Sequence, residues 1–109
     1  MTKRVAVLNT DEMINKHAIK MGWTVLAAKD CKDTEVCQIL DGKGVVYVII
    51  GSLMSEYPIK TVAMNTSKVD YRVIVLQDQI DDEMKKSGIM FSTTEKIIND
   101  GPEIVWLNY

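Results

Sequence analysis

Three apolar runs, each breaking off into small or polar residues, predict an α/β fold with a mostly parallel central sheet flanked by helices. Residues 4–8 run into Asn9 and Thr10, residues 45–50 into Gly51 and Ser52, and residues 71–76 into Gln77 and Asp78. Strands buried on both faces read as continuous apolar runs, and a shared polar ending is what results when each delivers the chain to the same edge of a sheet. Segments long enough for crossover helices lie between the runs, which completes the alternating pattern of a small flavodoxin-like or receiver-like domain.

Each intervening element has its own signals. After the first strand, Asn9 or Thr10 stands as a helix N-cap, Asp11 and Glu12 put negative charge in the first turn, and Met13, Ile14, Ala18 and Met21 share one face before Gly22. Residues 23–28 read as a second strand, less uniformly apolar than the others, as a less buried place in the sheet allows. Asp30 or Asp33 then caps a second helix with Val36, Cys37 and Leu40 inward, ended by the glycines of 41–44.

Beyond the third strand, Ser55 is the expected cap of a helix that carries Pro58 in its first turn and Ile59, Val62 and Ala63 as its apolar stripe. Residues 78–86 follow the fourth strand with an acidic start and a basic finish, matching the helix dipole, and Gly88 stops them. A short strand at 89–91 leads to a helix capped by Thr93 or Thr94, running through Ile97 and Ile98 and stopped by 99–102. Residues 103–109 read as a terminal strand with apolar residues on both faces. A terminal strand joins a sheet at its edge, and Trp106 and Tyr109 add aromatic area of the kind enriched at interfaces, so the segment is expected either to pair with a second copy or to complete its own sheet with Trp106 in the core.

Composition narrows the function classes. A chain of 109 residues supports one core and one domain, and its 47% hydrophobic and 26% charged residues are ordinary for a globular protein. The longest uninterrupted apolar stretch, residues 45–50, is far too short to span a membrane. The N-terminus breaks its apolar run at once and enters a helix signal, unlike a cleaved leader, so a cytoplasmic location is expected. A net charge of −2 argues against non-specific nucleic-acid binding, which needs a basic face. Cys31 and Cys37, read on one helix, are offset around it by more than a turn, and small half-buried residues are a better reading of them than a disulfide.

In open parallel sheets, ligands collect beyond the carboxyl ends of the strands. That edge gathers Asn9, Thr10, Asp11, Glu12, Gly51, Ser52, Gln77 and Asp78 as candidate ligand-binding residues. The order of elements resembles that of response-regulator receiver domains: an acidic turn after the first strand, a glycine and tryptophan entering the second, and Lys86, Ser87 and Gly88 before a short strand ending in Ser92 and Thr93. The resemblance implies a phospho-acceptor aspartate at the end of the third strand, an acidic pair for magnesium after the first, and a lysine after the fifth. This chain has Gly51 at the acceptor position and Ser92, Thr93 and Thr94 around the lysine position, while Asp11 and Glu12 alone stand in for the metal pair. Aspartyl phosphorylation is therefore not expected.

Other features have plainer readings. Gly42, Lys43 and Gly44 lack the spacing of a phosphate-binding loop and read as a turn. His17, the single histidine, reads as a half-buried structural residue flanked by core-facing Met13, Ile14 and Met21. The acidic residues Asp78, Asp81, Asp82 and Glu83 form a helix start, with Asp81, Asp82 and Glu83 also candidates for an interface with a basic partner. Seven methionines fill an irregular core or form an adaptable surface. The sequence calls for no cofactor, no metal and no catalytic group. The expected function is a non-catalytic regulatory or protein-interaction module, the alternative a small-molecule or anion-binding protein or small enzyme that uses the carboxyl edge.

Overall fold

The computed structural model describes residues 4–28, 36–54 and 56–107, with the backbone alone at Leu107. Strands β1 (Val5–Leu8), β2 (Thr24–Leu26), β3 (Tyr47–Ile50), β4 (Arg72–Leu76) and β5 (Met90–Ser92) form one sheet in the order β2-β1-β3-β4-β5. Every neighbouring pair is parallel. The helices are α1 (Glu12–Met21), α2 (Val36–Leu40), α3 (Ile59–Ser67), α4 (Asp82–Lys86), α5 (Thr94–Asp100) and α6 (Pro102–Leu107). This is the flavodoxin-like arrangement, with its strand order reversing between β1 and β3.

Burial explains why the strands read as they do. All of β1 and β3 is buried, as are Val73, Ile74 and Val75 of β4, because helices cover both faces there. Alternate residues feed two cores. Ala6, Leu8, Val48, Ile50, Val73 and Val75 pack under α2, α3 and α4, through Leu40, Val62 and Met84 among others. Val5, Val7, Ile49 and Ile74 pack under α1 and α5, through Ile14, Ala18 and Ile97, with Trp106 of α6 against the same cluster. The two edge strands are short and partly exposed, which accounts for the weaker apolar signal of residues 23–28.

Several helix ends fall where a side chain can reach a backbone N–H. The carboxylate of Asp11, not Asn9 or Thr10, caps α1 by accepting from the Ile14 N–H at 3.0 Å, and Gly22 ends that helix in the left-handed region at φ 78°. Thr93 caps α5 by accepting from the Lys96 N–H. Pro58 occupies the cap position of α3 without a side-chain bond. Ser55, Asp30, Asp33 and Cys31 lie outside the described residues.

Three further expectations are corrected. The segment expected as a C-terminal strand is helical over Pro102–Leu107, so it offers no strand edge for pairing with a second copy. Proline is favoured in the first turn of a helix, since its missing N–H has no partner there, and Pro102 opens α6 rather than closing α5. Trp106 is half-buried against the sheet, while Tyr109 lies outside the described residues. The second correction concerns α4, whose cap is Asp81, accepting from the Met84 N–H at 2.9 Å, whereas Asp78 is exposed in the preceding bend. A cap must sit within three residues of the N–H it serves, and buried Ile80 fixes the start of α4 after Asp78. Lastly, Met13 and Met21 are 64% and 51% exposed, because a helix laid on a sheet buries a narrow stripe, here Ile14 and Ala18. His17 is half-buried as expected, but its neighbour is Trp23, edge-on at 5.2 Å.

Lys60 of α3 lies 2.8 Å from Asp81 and 2.7 Å from Glu83, joining α3 to α4. The hydrogen bond from Lys60, followed by that from the Met84 N–H, holds the Asp81 carboxyl below the usual carboxylate range. A carboxylate with a lowered folded pKa contributes stability above its unfolded value, and that contribution is lost as pH falls through the folded value.

Urea unfolding should therefore show a lower midpoint for Asp81→Ala at neutral pH and an unchanged one for Asp78→Ala, with the gap between wild type and Asp81→Asn closing as pH is taken below about 4. Asp11→Ala should cost about 1 kcal/mol through loss of the α1 cap.

Candidate functional site

Most of the candidate ligand-binding residues sit at the carboxyl edge, but only Asn9 and Thr10, in one cleft, and Gln77, in another, line the two clefts there. Asn9 and Thr10 follow β1, Gly51 and Ser52 follow β3, and Gln77 and Asp78 follow β4. One cleft, of about 440 Å³, is lined by Asn9, Thr10 and Asn15 together with Leu26, Leu53 and Met54. The other, of about 520 Å³, lies over β4 and is lined by Lys60, Gln77, Gln79, Ile80, Asp81 and Met84. Glu12 points to solvent and pairs with Lys16 one turn on; Ser52 and Asp78 are exposed.

The centre of the edge, where strand order reverses, is closed by Asn9. Its backbone is in the left-handed region at φ 57°, a conformation that asparagine tolerates better than most residues. Only 3% exposed, Asn9 donates from Nδ2 to the Gly51 carbonyl at 2.7 Å and accepts at Oδ1 from the Met54 N–H at 2.8 Å. Its own carbonyl accepts from the Leu53 N–H at 3.0 Å, and the Gly51 N–H donates to the Leu8 carbonyl at 2.8 Å. The loop after β3 is thus tied to the end of β1 by both backbone and side-chain bonds.

Gly51 makes this approach possible. A Cβ there would lie 2.5 Å from the Asn9 carbonyl oxygen and 2.9 Å from the Thr10 Cα, both backbone atoms that cannot step aside cheaply. Thr10, also 3% exposed, donates its hydroxyl to the Asn15 Oδ1, and the Asn15 Nδ2 donates to the Thr10 carbonyl at 3.3 Å. The Asp11 carboxylate occupies the N-terminus of α1, where an anion would otherwise be held. Polar groups of the β1 turn are therefore matched to one another.

The second cleft is dominated by the ion pairs of Lys60. The hydrogen bonds it donates to Asp81 and then to Glu83 hold its ammonium above the usual lysine range. Asp81 and Glu83 are thereby engaged within the protein, and Asp82 is exposed in the first turn of α4. Among the described residues no group of three or more histidine, cysteine, aspartate or glutamate side chains is placed to hold a metal ion. Cys37 is half-buried and free, and burial pushes its thiol up despite an opposing hydrogen bond with Thr66, which disfavours the reactive thiolate.

Sequence reasoning did not single out Asn15, Leu53, Met54 or Lys60. Asn15 has a local signal, five residues after Thr10 at a spacing that lets a first-turn amide fold back over its own helix start. Lys60 has none, since its partners lie on another helix. No protein-family model, curated protein or solved structure matches this chain.

Gly51→Ala should destabilise the protein by roughly 3 kcal/mol in urea unfolding, because strain falls on the Asn9 turn. Ser52→Ala, one residue on and exposed, should change stability by less than about 0.5 kcal/mol.

Proposed function

We propose that this chain is a non-catalytic regulatory or protein-interaction module working in the cytoplasm. One observation carries the reading. Asn9, at the point where doubly wound sheets usually hold a ligand, is spent on the loop of residues 51–54, and the adjoining helix start is occupied by Asp11. Binding an anion there would require breaking buried hydrogen bonds and displacing a carboxylate, each at a cost of about 1–3 kcal/mol. A surface serving other proteins needs no such opening, and large apolar side chains are exposed away from this edge, Phe91 and Ile104 among them.

The partner in this reading is another protein. The homodimer expectation rested on a C-terminal strand, and α6 supplies none. The alternative, a small-molecule site, is favoured by the cleft beside Asn9, Thr10 and Asn15, whose other lining residues are apolar. An apolar ligand would suit that cleft better than an anion.

Thermal denaturation against a panel of nucleotides, sugar phosphates and divalent cations separates the readings. A bound ligand at about 100 times its dissociation constant adds roughly 2.7 kcal/mol of stability, and the interaction-module reading expects no member of the panel to do so. With Gly51 in place of an acceptor carboxylate, incubation with acetyl phosphate and magnesium should leave the intact mass unchanged. A stoichiometric phosphoaspartate would refute this reading.

A further inference from the structure

Strand β5 is an open edge. It pairs with β4 through Met90, Phe91 and Ser92 and, among the described residues, has no strand on its other side. Unpaired N–H and C=O groups along such an edge are a template for an arriving strand. Two cavities follow it, one of about 310 Å³ that includes Ile80, Lys85 and Ile89, and one of about 270 Å³ that includes Ser92, Lys96 and Ile104. Phe91 and Val105 line both, so the two are ends of one groove running between α4 and the α5–α6 corner.

The groove has the chemistry of a peptide site. Its walls are mostly apolar at the end beside Ile80 and Ile89 and mixed at the other, and Phe91 is 41% exposed although it lines both. Ser92 lines one end of the groove but is only 6% exposed, so its side chain is packed beneath the surface there. Each end carries one lysine, Lys85 or Lys96, and neither is ion-paired with another of the described residues. Among the described residues, Asp100 is the one acidic side chain lining either cavity.

We propose that the free edge of β5 takes an extended segment of another protein as an added strand, apolar at alternate positions and acidic overall. Main-chain pairing would give affinity, the groove would select the alternate apolar side chains, and the lysines would select the charge. A second copy fits less well, since a twofold axis at β5 would bring Lys85 and Lys96 against the same lysines of the copy. The proposal deepens the interaction-module reading and rests on it.

The test is an amide NMR titration of the full chain with a synthetic heptapeptide of alternating valine and glutamate, beside one of alternating valine and lysine. The acidic peptide should shift the amides of Met90, Phe91 and Ser92 and protect those that face away from β4, with a dissociation constant below about 1 mM, and bind about tenfold tighter than the basic one. Phe91→Asn should weaken it about tenfold with an unchanged melting temperature, and Lys85→Glu should reduce or invert the charge preference. Absence of shifts at millimolar peptide, shifts confined to another surface, or equal binding of the two peptides would overturn the proposal. So would a peptide-free dimer in sedimentation with protected β5 amides, which would give the groove to a second copy. Any of these alongside an unresponsive ligand panel removes the groove while leaving the interaction-module reading in place.

Discussion

The close approach of β3's end to β1's end organises this molecule. Gly51 sits against the Asn9 carbonyl at a distance that admits no side chain, and Asn9 turns into the left-handed region to bridge the gap with both ends of its amide. Those bonds join residues more than 40 positions apart in sequence and fix the two central strands at the edge where their crossovers diverge. The entry to α1 and the path of the loop toward α3 are both set from this point. A buried amide with its donors and acceptors matched specifies one arrangement more sharply than apolar contact alone.

Around this centre the two faces are covered differently. Helices α2, α3 and α4 cover one side, with α3 and α4 linked by Lys60. On the other side α1 and α5 leave the amino end of β3 and β4 to α6, where Arg72 lies 5.5 Å from the Tyr47 ring and 5.7 Å from that of Trp106. Arg72 also donates to the Tyr47 hydroxyl at 3.0 Å. This stack of a cation between rings explains how a six-residue terminal helix, too short to stand alone, is held to the sheet.

Much of this was legible in the residues, for identifiable reasons. The buried central strands have apolar residues on both faces, and their runs near 4–8, 45–50 and 71–76 could be read directly. Thr93 and Gly22 announced helix ends through local chemistry that tertiary structure did not override. The terminal segment was not legible, because a short run such as Ile104, Val105 and Trp106 fits a strand or a helix equally, and Pro102 was taken as a stop rather than a start. Nor was the part played by Asn9. Its type and place after a strand were visible, but the need for an amide with positive φ arises from Gly51, which only the fold brings near.

The same contact bears on how such a domain can change over generations. Glycine and aspartate are neighbours in the genetic code, so a carboxylate at the end of the third strand lies, on paper, within easy mutational reach of this sequence. Here that step is barred, since the first carbon of any side chain at position 51 would collide with the backbone of the β1 turn before its functional group came into play. Gaining such a group would first require the Asn9 turn to be rebuilt, and intermediates with the turn loosened would lose stability without gaining chemistry. Substitutions at exposed positions such as Ser52 meet no such barrier and are cheap by comparison.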